Sequence, residues 1–92
     1  MPDRFRRRRD VRFRIIDSEA VVLRQQAGET LVLNEVGSRI LQLCDEGESF
    51  DGVVRSISQE FDVEPPQAEA DARQFISQLV DAGILEAEAV SP

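Results

Sequence analysis

Residues 11–33 alternate between apolar and polar side chains with a period of two, which is typical of β-strands. Three such stretches, residues 11–16, 21–24 and 30–33, are separated by an Asp17-Ser18 turn and by a connection that contains Gly28. Connections this short predict an antiparallel meander. The face expected to pack on a core comprises Val11, Phe13, Ile15, Val21, Leu23, Leu31 and Leu33. The opposite face is expected to carry Arg12, Arg14, Ile16, Val22, Arg24 and Val32.

From residue 34 onward the apolar period changes to 3.6, which indicates helices. Asn34 and Ser49 are suited to be N-caps, because their side chains can accept a bond from an unpaired N–H of the first turn. Pro65-Pro66 suits the first turn of a third helix, and Gly83 stands where that helix would end. Three strands followed by three helices predict a two-layer α+β domain with the helices on one face of the sheet.

Charge is distributed unevenly along the 92 residues, whose net charge is −7. All 11 basic residues are Arg, and seven of them fall within residues 1–14 beside two Asp. Residues 15–92 hold the other four Arg and 16 acids, so an acidic body follows a basic opening. Because like charges repel and no apolar period is present, we expect a flexible Arg-rich arm over 1–10, a domain over 11–86 and a tail over 87–92. An acidic body disfavours nucleic acid as a partner.

The composition argues against catalysis. The chain has no His, no glycine-rich phosphate loop and no spacing typical of metal ligands. Its single Cys44 lies on an apolar helical stripe, where a buried and unreactive thiol is the simpler interpretation. We therefore expect no catalytic residue, no metal and no cofactor. A single Cys and the lack of an apolar run near ~20 residues lead us to expect a reduced, cytoplasmic location and no membrane partner.

The third predicted strand is uncharged and lies at an edge of the sheet. Its four residues are Thr30, Leu31, Val32 and Leu33. Exposed edges are normally blunted by charges or Pro, and none is present here, so a peptide from another chain could add as a further strand. The alternatives are that a helix or the N-terminal arm covers this edge, or that a second copy pairs with it to give a homodimer.

Short motifs along residues 11–86 resemble the family of pyrroloquinoline quinone biosynthesis protein D (PqqD). These motifs are Leu33-Asn34, Gly37, Ile40-Leu41, Cys44-Asp45-Glu46-Gly47, Phe75-Ile76, Leu79 and Gly83-Ile84-Leu85. One departure is Asp45-Glu46-Gly47, where the family often has Asp-Gly directly. The resemblance implies a winged helix-turn-helix-like fold, with a three-stranded antiparallel sheet followed by three helices.

The same resemblance implies a non-enzymatic peptide chaperone, a recognition element of ribosomally made peptide pathways. Such a protein binds the leader of a precursor peptide as an added strand and presents the core to a modifying enzyme, often a radical S-adenosylmethionine (SAM) protein, as in the synthesis of PQQ or related products. The groove would lie between Thr30–Leu33 and one flank of the third helix. On a helical wheel we select the flank with Arg73, which could hold an acidic leader residue, and Val80. A winged-helix DNA-binding regulator is the alternative.

Overall fold

A three-stranded sheet, three helices and a second, two-stranded sheet make up the protein. The computed structural model describes residues 4–88. The elements are β1 (Phe5–Arg7), β2 (Val11–Ile16), β3 (Glu19–Arg24), β4 (Glu29–Val32), α1 (Glu35–Asp45), α2 (Phe50–Glu60), α3 (Pro65–Asp81) and β5 (Leu85–Ala87). The larger sheet has the order β2-β3-β4 and is antiparallel throughout. The predicted α+β class, with a three-stranded meander followed by three helices, is confirmed.

The predicted inner face of the second meander strand is wrong. Asp17 and Ser18 both have positive φ, as a tight two-residue hairpin requires, and this turn pairs Ile16 with Glu19. The register then places Phe13 opposite Val22, and Val22 is fully buried against the helices. Residues 20–23 are all apolar, so a period of two could be assigned in either phase, and only the turn geometry decides between them.

The helix termini agree with the sequence. Asn34 accepts a hydrogen bond from the backbone N–H of Gly37 at 2.8 Å, and Ser49 accepts one from Gly52 at 3.1 Å. Prolines occupy the first turn of α3, where the missing N–H costs no intrahelical bond. After α3, Gly83 adopts a φ of 77°, and the Ile84 N–H turns back to the carbonyl of Leu79 at 2.9 Å.

The hydrophobic core lies between the larger sheet and the three helices. Its members are Phe5, Val11, Ala20, Val22, Ile40, Leu41, Leu43, Cys44, Phe50, Val53, Ile57, Ala68, Ala72, Ile76, Leu79, Ile84 and Leu85. The Cys44 thiol is buried among them, as its place on the helical stripe predicts. Over residues 4–88, no helix has both the length and the apolar character that a membrane crossing demands.

Part of the segment expected to be a flexible arm over residues 1–10 is ordered, since residues 5–7 form a strand. Phe5–Arg7 pair antiparallel with Leu85–Ala87, and Phe5 is 8% exposed within the core. Arg7 donates to the Asp45 carboxylate at 2.9 Å, which ties this strand to α1. One aromatic residue among the arginines is enough to anchor the segment, because the chain after α3 offers a strand edge to pair with. The first three residues of the predicted arm and the last four of the predicted tail lie outside the described residues.

Candidate functional site

One edge of the larger sheet is open. The Leu33 N–H donates to the carbonyl of Ala20 at 2.9 Å, so Leu33 and, two residues before it, Leu31 direct their backbone groups toward β3. The N–H and C=O groups of Thr30 and Val32 therefore point away from the sheet. Across residues 4–88, β3 is the only strand paired with β4, and all four residues of β4 are exposed, so neither a helix nor the N-terminal segment covers this edge.

A buried hydroxyl fixes this edge relative to α1. Ser38 is 1% exposed, and its Oγ accepts a hydrogen bond from the Ala20 N–H at 2.6 Å. The same Oγ lies 2.7 Å from the carbonyl oxygen of Asn34 and 3.1 Å from that of Leu33, to one of which it donates its single proton. The side chain thus connects the Ala20 N–H of β3 with the carbonyls where the chain leaves β4, which ties the sheet to the first helix.

A groove of about 410 Å³ begins just beyond the end of β4 and runs between α1 and α3. It is lined by Asn34, Val36, Ile40, Asp71, Gln74, Phe75 and Gln78. The apolar members come from both helices, and the polar members supply amides and one carboxylate. This combination suits a peptide in which an apolar side chain is followed or preceded by a residue that forms hydrogen bonds.

The depth of this groove depends on a glycine. Gly37 lies in the first turn of α1, and a Cβ built there would come within 2.6 Å of ring carbons Cε1 and Cε2 of Phe75. Only a residue without a side chain lets this ring pack against the backbone of α1. Phe75 is consequently half-buried, with part of its surface open to the groove.

The structure brings some of the predicted site residues together and separates others. Thr30, Leu31 and Val32 form the open edge strand, and the half-buried Leu33 follows directly. The assignment of these four residues to a peptide-binding site remains a prediction.

Arg73 and Val80 lie on the opposite flank of α3 from the groove. The Arg73 guanidinium stacks 5.0 Å from the centroid of the Phe50 ring and lies 3.6 Å from the Glu69 carboxylate. Neither Arg73 nor Val80 lines the groove, so a part for these two residues in peptide binding stays a prediction. A helical wheel places one flank on each side of the core stripe of α3, but it does not show which flank lies beside α1. The missed signal was the pairing of a small residue, Gly37, with a large one, Phe75, which shows how α3 packs on α1.

The single thiol, that of Cys44, does not line the groove. Burial, with a smaller contribution from the neighbouring Asp45 carboxylate, raises the pKa of Cys44 to about 12. A thiol with this pKa is almost entirely protonated at neutral pH, and the thiolate is the nucleophilic form. The interpretation of Cys44 as an unreactive core residue therefore agrees with its surroundings.

An exposed edge strand beside a helix-lined groove defines a class of small domains that can accept an extended peptide. The family model of coenzyme PQQ synthesis protein D (PqqD) matches residues 19–85 of this chain. The chain belongs to that family. Among curated proteins, no sequence matches it.

Three solved structures share the fold. TbiB1 in complex with the TbiA(beta) leader peptide is 35% identical, with a TM-score of 0.84, and the match covers 92% of this chain and 99% of that one. A lasso peptide synthetase B1 complexed with its leader peptide is 28% identical, with a TM-score of 0.81 and coverage of 89% and 96%. The PqqD truncation of Methylobacterium extorquens PqqCD, a stand-alone recognition element for ribosomally synthesized and post-translationally modified peptides, is 25% identical. Its TM-score is 0.71, with coverage of 89% and 87%.

Proposed function

We propose that this protein binds the leader segment of a ribosomally made precursor peptide and presents the remainder of that peptide to a modifying enzyme, without catalysing a reaction itself. The observation that carries the proposal is the open edge of β4, where Thr30 and Val32 present unpaired backbone groups. Support also comes from the two similar structures, at 35% and 28% identity, that hold leader peptides.

The leader adds to the sheet as a fourth strand. A net contribution of about 0.5–1.5 kcal/mol per hydrogen bond makes the main-chain bonds to Thr30 and Val32 insufficient alone for stable binding. The groove between α1 and α3 supplies the remainder, because an apolar leader side chain can bury itself against Val36, Ile40 and Phe75. Together these contributions support an affinity of about micromolar, some −8 kcal/mol.

The polar residues of the groove set a preference in the leader. Asp71 is half-buried and accepts a hydrogen bond from Gln67 Nε2 at 2.8 Å, which leaves further acceptor capacity on the carboxylate. Gln74 and Gln78 beside it can donate or accept, so the Asp71 carboxylate decides the preference, which is for a leader residue that donates hydrogen bonds. The preference is opposite to the acidic leader residue expected from Arg73, which lies on the other flank.

Two kinds of enzyme are candidates to receive the peptide. Membership of the PqqD family supports a radical SAM enzyme and a product related to PQQ. An enzyme of a lasso peptide pathway is the second candidate. It is favoured by the structure named a lasso peptide synthetase B1, whose identity and TM-score are higher than those of the PqqD truncation. Either setting is consistent with a cytoplasmic location, which is part of the proposal.

A calorimetric titration tests leader binding. The precursor peptide encoded beside the gene for this chain would be divided into its leader and core halves, and a scrambled leader of the same composition would serve as the control. We expect a dissociation constant of about micromolar for the leader and no measurable heat for the other two peptides. Equal binding of the leader and its scrambled form, or no binding of either, would refute the proposal.

A further inference from the structure

The side of the larger sheet that faces away from the helices has apolar and cationic residues in register. Arg14, Val21 and Val32 lie directly opposite one another across the three strands, and Arg12, Leu23 and Thr30 form the adjacent row. The large apolar side chains of this outer face are exposed, by 51% for Ile16, 39% for Leu23 and 63% for Val32. Three such side chains within one small sheet exceed what isolated surface residues explain.

Nothing in residues 4–88 covers this outer face. Val22 on the inner face is fully buried, which shows that the helices pack on that side. The N-terminal strand also lies on the inner side, because Arg7 of β1 reaches within 6.0 Å of the centroid of the inner-face Phe13 ring. The outer face is therefore an unpartnered surface in the described part of the chain.

The charge on the outer face is opposite to that of the protein as a whole. The net charge is −7, yet Arg12 and Arg14 stand on this face beside a single acid, Glu19. Neither arginine has an ion pair among residues 4–88, and the hydrogen bonds of Arg12 are to backbone carbonyls, at 3.1 Å to Arg9. By contrast, the cationic Arg39 forms a bidentate pair with Glu60. The arginines of the outer face keep their capacity to bind carboxylates.

We infer that the outer face is a second docking surface, which takes an apolar protein surface rimmed by Asp and Glu. Arginine beside apolar side chains is typical of protein interfaces. We take this partner to be the modifying enzyme, which rests on the proposed function. The location fits that role, because Val32 belongs to both the outer face and the edge strand, so an enzyme docked here stands next to a bound leader.

Two other occupants fit the charge pattern less well. Nucleic acid binds mainly through phosphate contacts, and the centre of this face is apolar while the rest of the protein is acidic. A second copy of this chain would present the same two arginines and the single acid Glu19, so the interface would hold more positive than negative charge. An acidic, partly apolar protein surface satisfies both components of the outer face.

The test uses the purified modifying enzyme encoded beside the precursor gene, binding to the immobilised chain at low salt, with and without the leader. The variants are R12E/R14E and Leu23→Asp, and the control is Arg55→Glu, an exposed arginine on α2. We expect both variants to weaken enzyme binding at least about tenfold, and the control to stay within about twofold of the original chain. Leader affinity, measured separately by calorimetry, should stay within about twofold for all three.

Several results would overturn the inference. Unchanged enzyme binding by both variants would exclude this face, and a parallel loss of leader binding would assign the face to the leader site instead. Tight binding of a 20-base-pair duplex that R12E/R14E abolishes would identify a nucleic-acid surface. A homodimer that Leu23→Asp dissociates in sedimentation would identify a self-interface. The docking surface can also be upheld if the chain proves not to bind the leader. In that case the enzyme should bind the original chain in the absence of leader, and both variants should lose that binding.

Discussion

The ring of Phe75 on α3 packs directly against the backbone of Gly37 on α1, at a position where any side chain would overlap the ring. The amide of the same glycine donates to Asn34, the N-cap that follows the edge strand. One residue therefore fixes both the start of α1 and the floor of the groove. The edge strand and the groove are consequently held in a fixed relation before a peptide arrives.

Gly37→Ala should destabilise the protein although alanine is the better helix former. Helix propensity alone would favour Ala by about 1 kcal/mol. Displacing the Phe75 ring should outweigh this gain and lower the free energy of unfolding by about 1–3 kcal/mol. Leader binding should weaken as well, because the displaced ring lines the groove. Urea unfolding and calorimetric titration measure the two effects.

The matched control is the same substitution in a Phe75→Ala background. With the ring removed, Gly37→Ala should be neutral or stabilising, and the two changes should show strong coupling in a double-mutant cycle. If Gly37→Ala costs as much without the ring as with it, the contact between the two residues is not the cause.

The N-terminal strand should contribute to stability. Phe5 is buried in the core, so Phe5→Ala should cost about 3 kcal/mol, while Arg9→Ala, at an exposed neighbouring position, should change the unfolding midpoint little. Deletion of residues 1–9 should lower stability at least as much as Phe5→Ala. Thermal unfolding followed by circular dichroism distinguishes these cases, and an unchanged midpoint for Phe5→Ala would show that β1 does not pack in solution.

Stability should decline at alkaline pH because of Cys44. Its thiol has a pKa of about 12 in the folded protein, against an ordinary value of 9.0. Between these values the unfolded chain binds fewer protons than the folded one, so the free energy of unfolding falls as pH rises from about 9. The chain has no Tyr and no Lys, so no other side chain has an ordinary pKa in this range.

Urea unfolding between pH 8 and 11 measures this effect, and Cys44→Ala is the control. The alanine variant should be less stable at pH 8 because it leaves a small cavity, yet its stability should decline less with pH. Parallel declines for the two proteins would show that the thiol is not protected by burial.

The fold could be predicted from the sequence where local chemistry is specific. Asn34, Ser49 and the prolines at the start of α3 each satisfy a helix terminus in a way that few other residues do, and all are confirmed as helix starts. The third meander strand was also correctly placed at a sheet edge, because the last strand of a meander has a neighbour on one side only. It begins one residue earlier than predicted, at Glu29, which pairs with Arg24, so the strand is not free of charge.

Other features depend on contacts between distant parts of the chain. Strand β1 forms only because Leu85–Ala87 offers it an edge, some 80 residues later, so a short arginine-rich segment gives no local sign of it. The flank of α3 that lines the groove against α1 is decided by the contact between Gly37 and Phe75 rather than by α3 itself. On the helical wheel, the flank with Arg73 and Val80 and the flank that lines the groove lie on either side of the core stripe. The sequence of α3 alone therefore could not distinguish these two flanks.

A pair of proline variants should separate folding from binding in the edge strand. Leu31→Pro removes an N–H that faces β3 and should unfold the domain or destabilise it by about 3 kcal/mol or more. Thr30→Pro removes an N–H that points to the open edge, so the domain should stay folded while leader affinity falls. Thr30→Val keeps this N–H and should bind the leader normally. A folded Thr30→Pro variant with unchanged affinity would contradict the proposed binding mode.

Residue-resolved amide hydrogen exchange, measured by NMR with and without saturating leader peptide, tests strand addition most directly. The Thr30 and Val32 amides should exchange rapidly in the free protein, since they point to the open edge, and slowly in the complex. The Leu31 and Leu33 amides, which face β3, should be protected in both states. If the Thr30 and Val32 amides exchange equally fast with the leader bound, the peptide does not add to β4 as a strand.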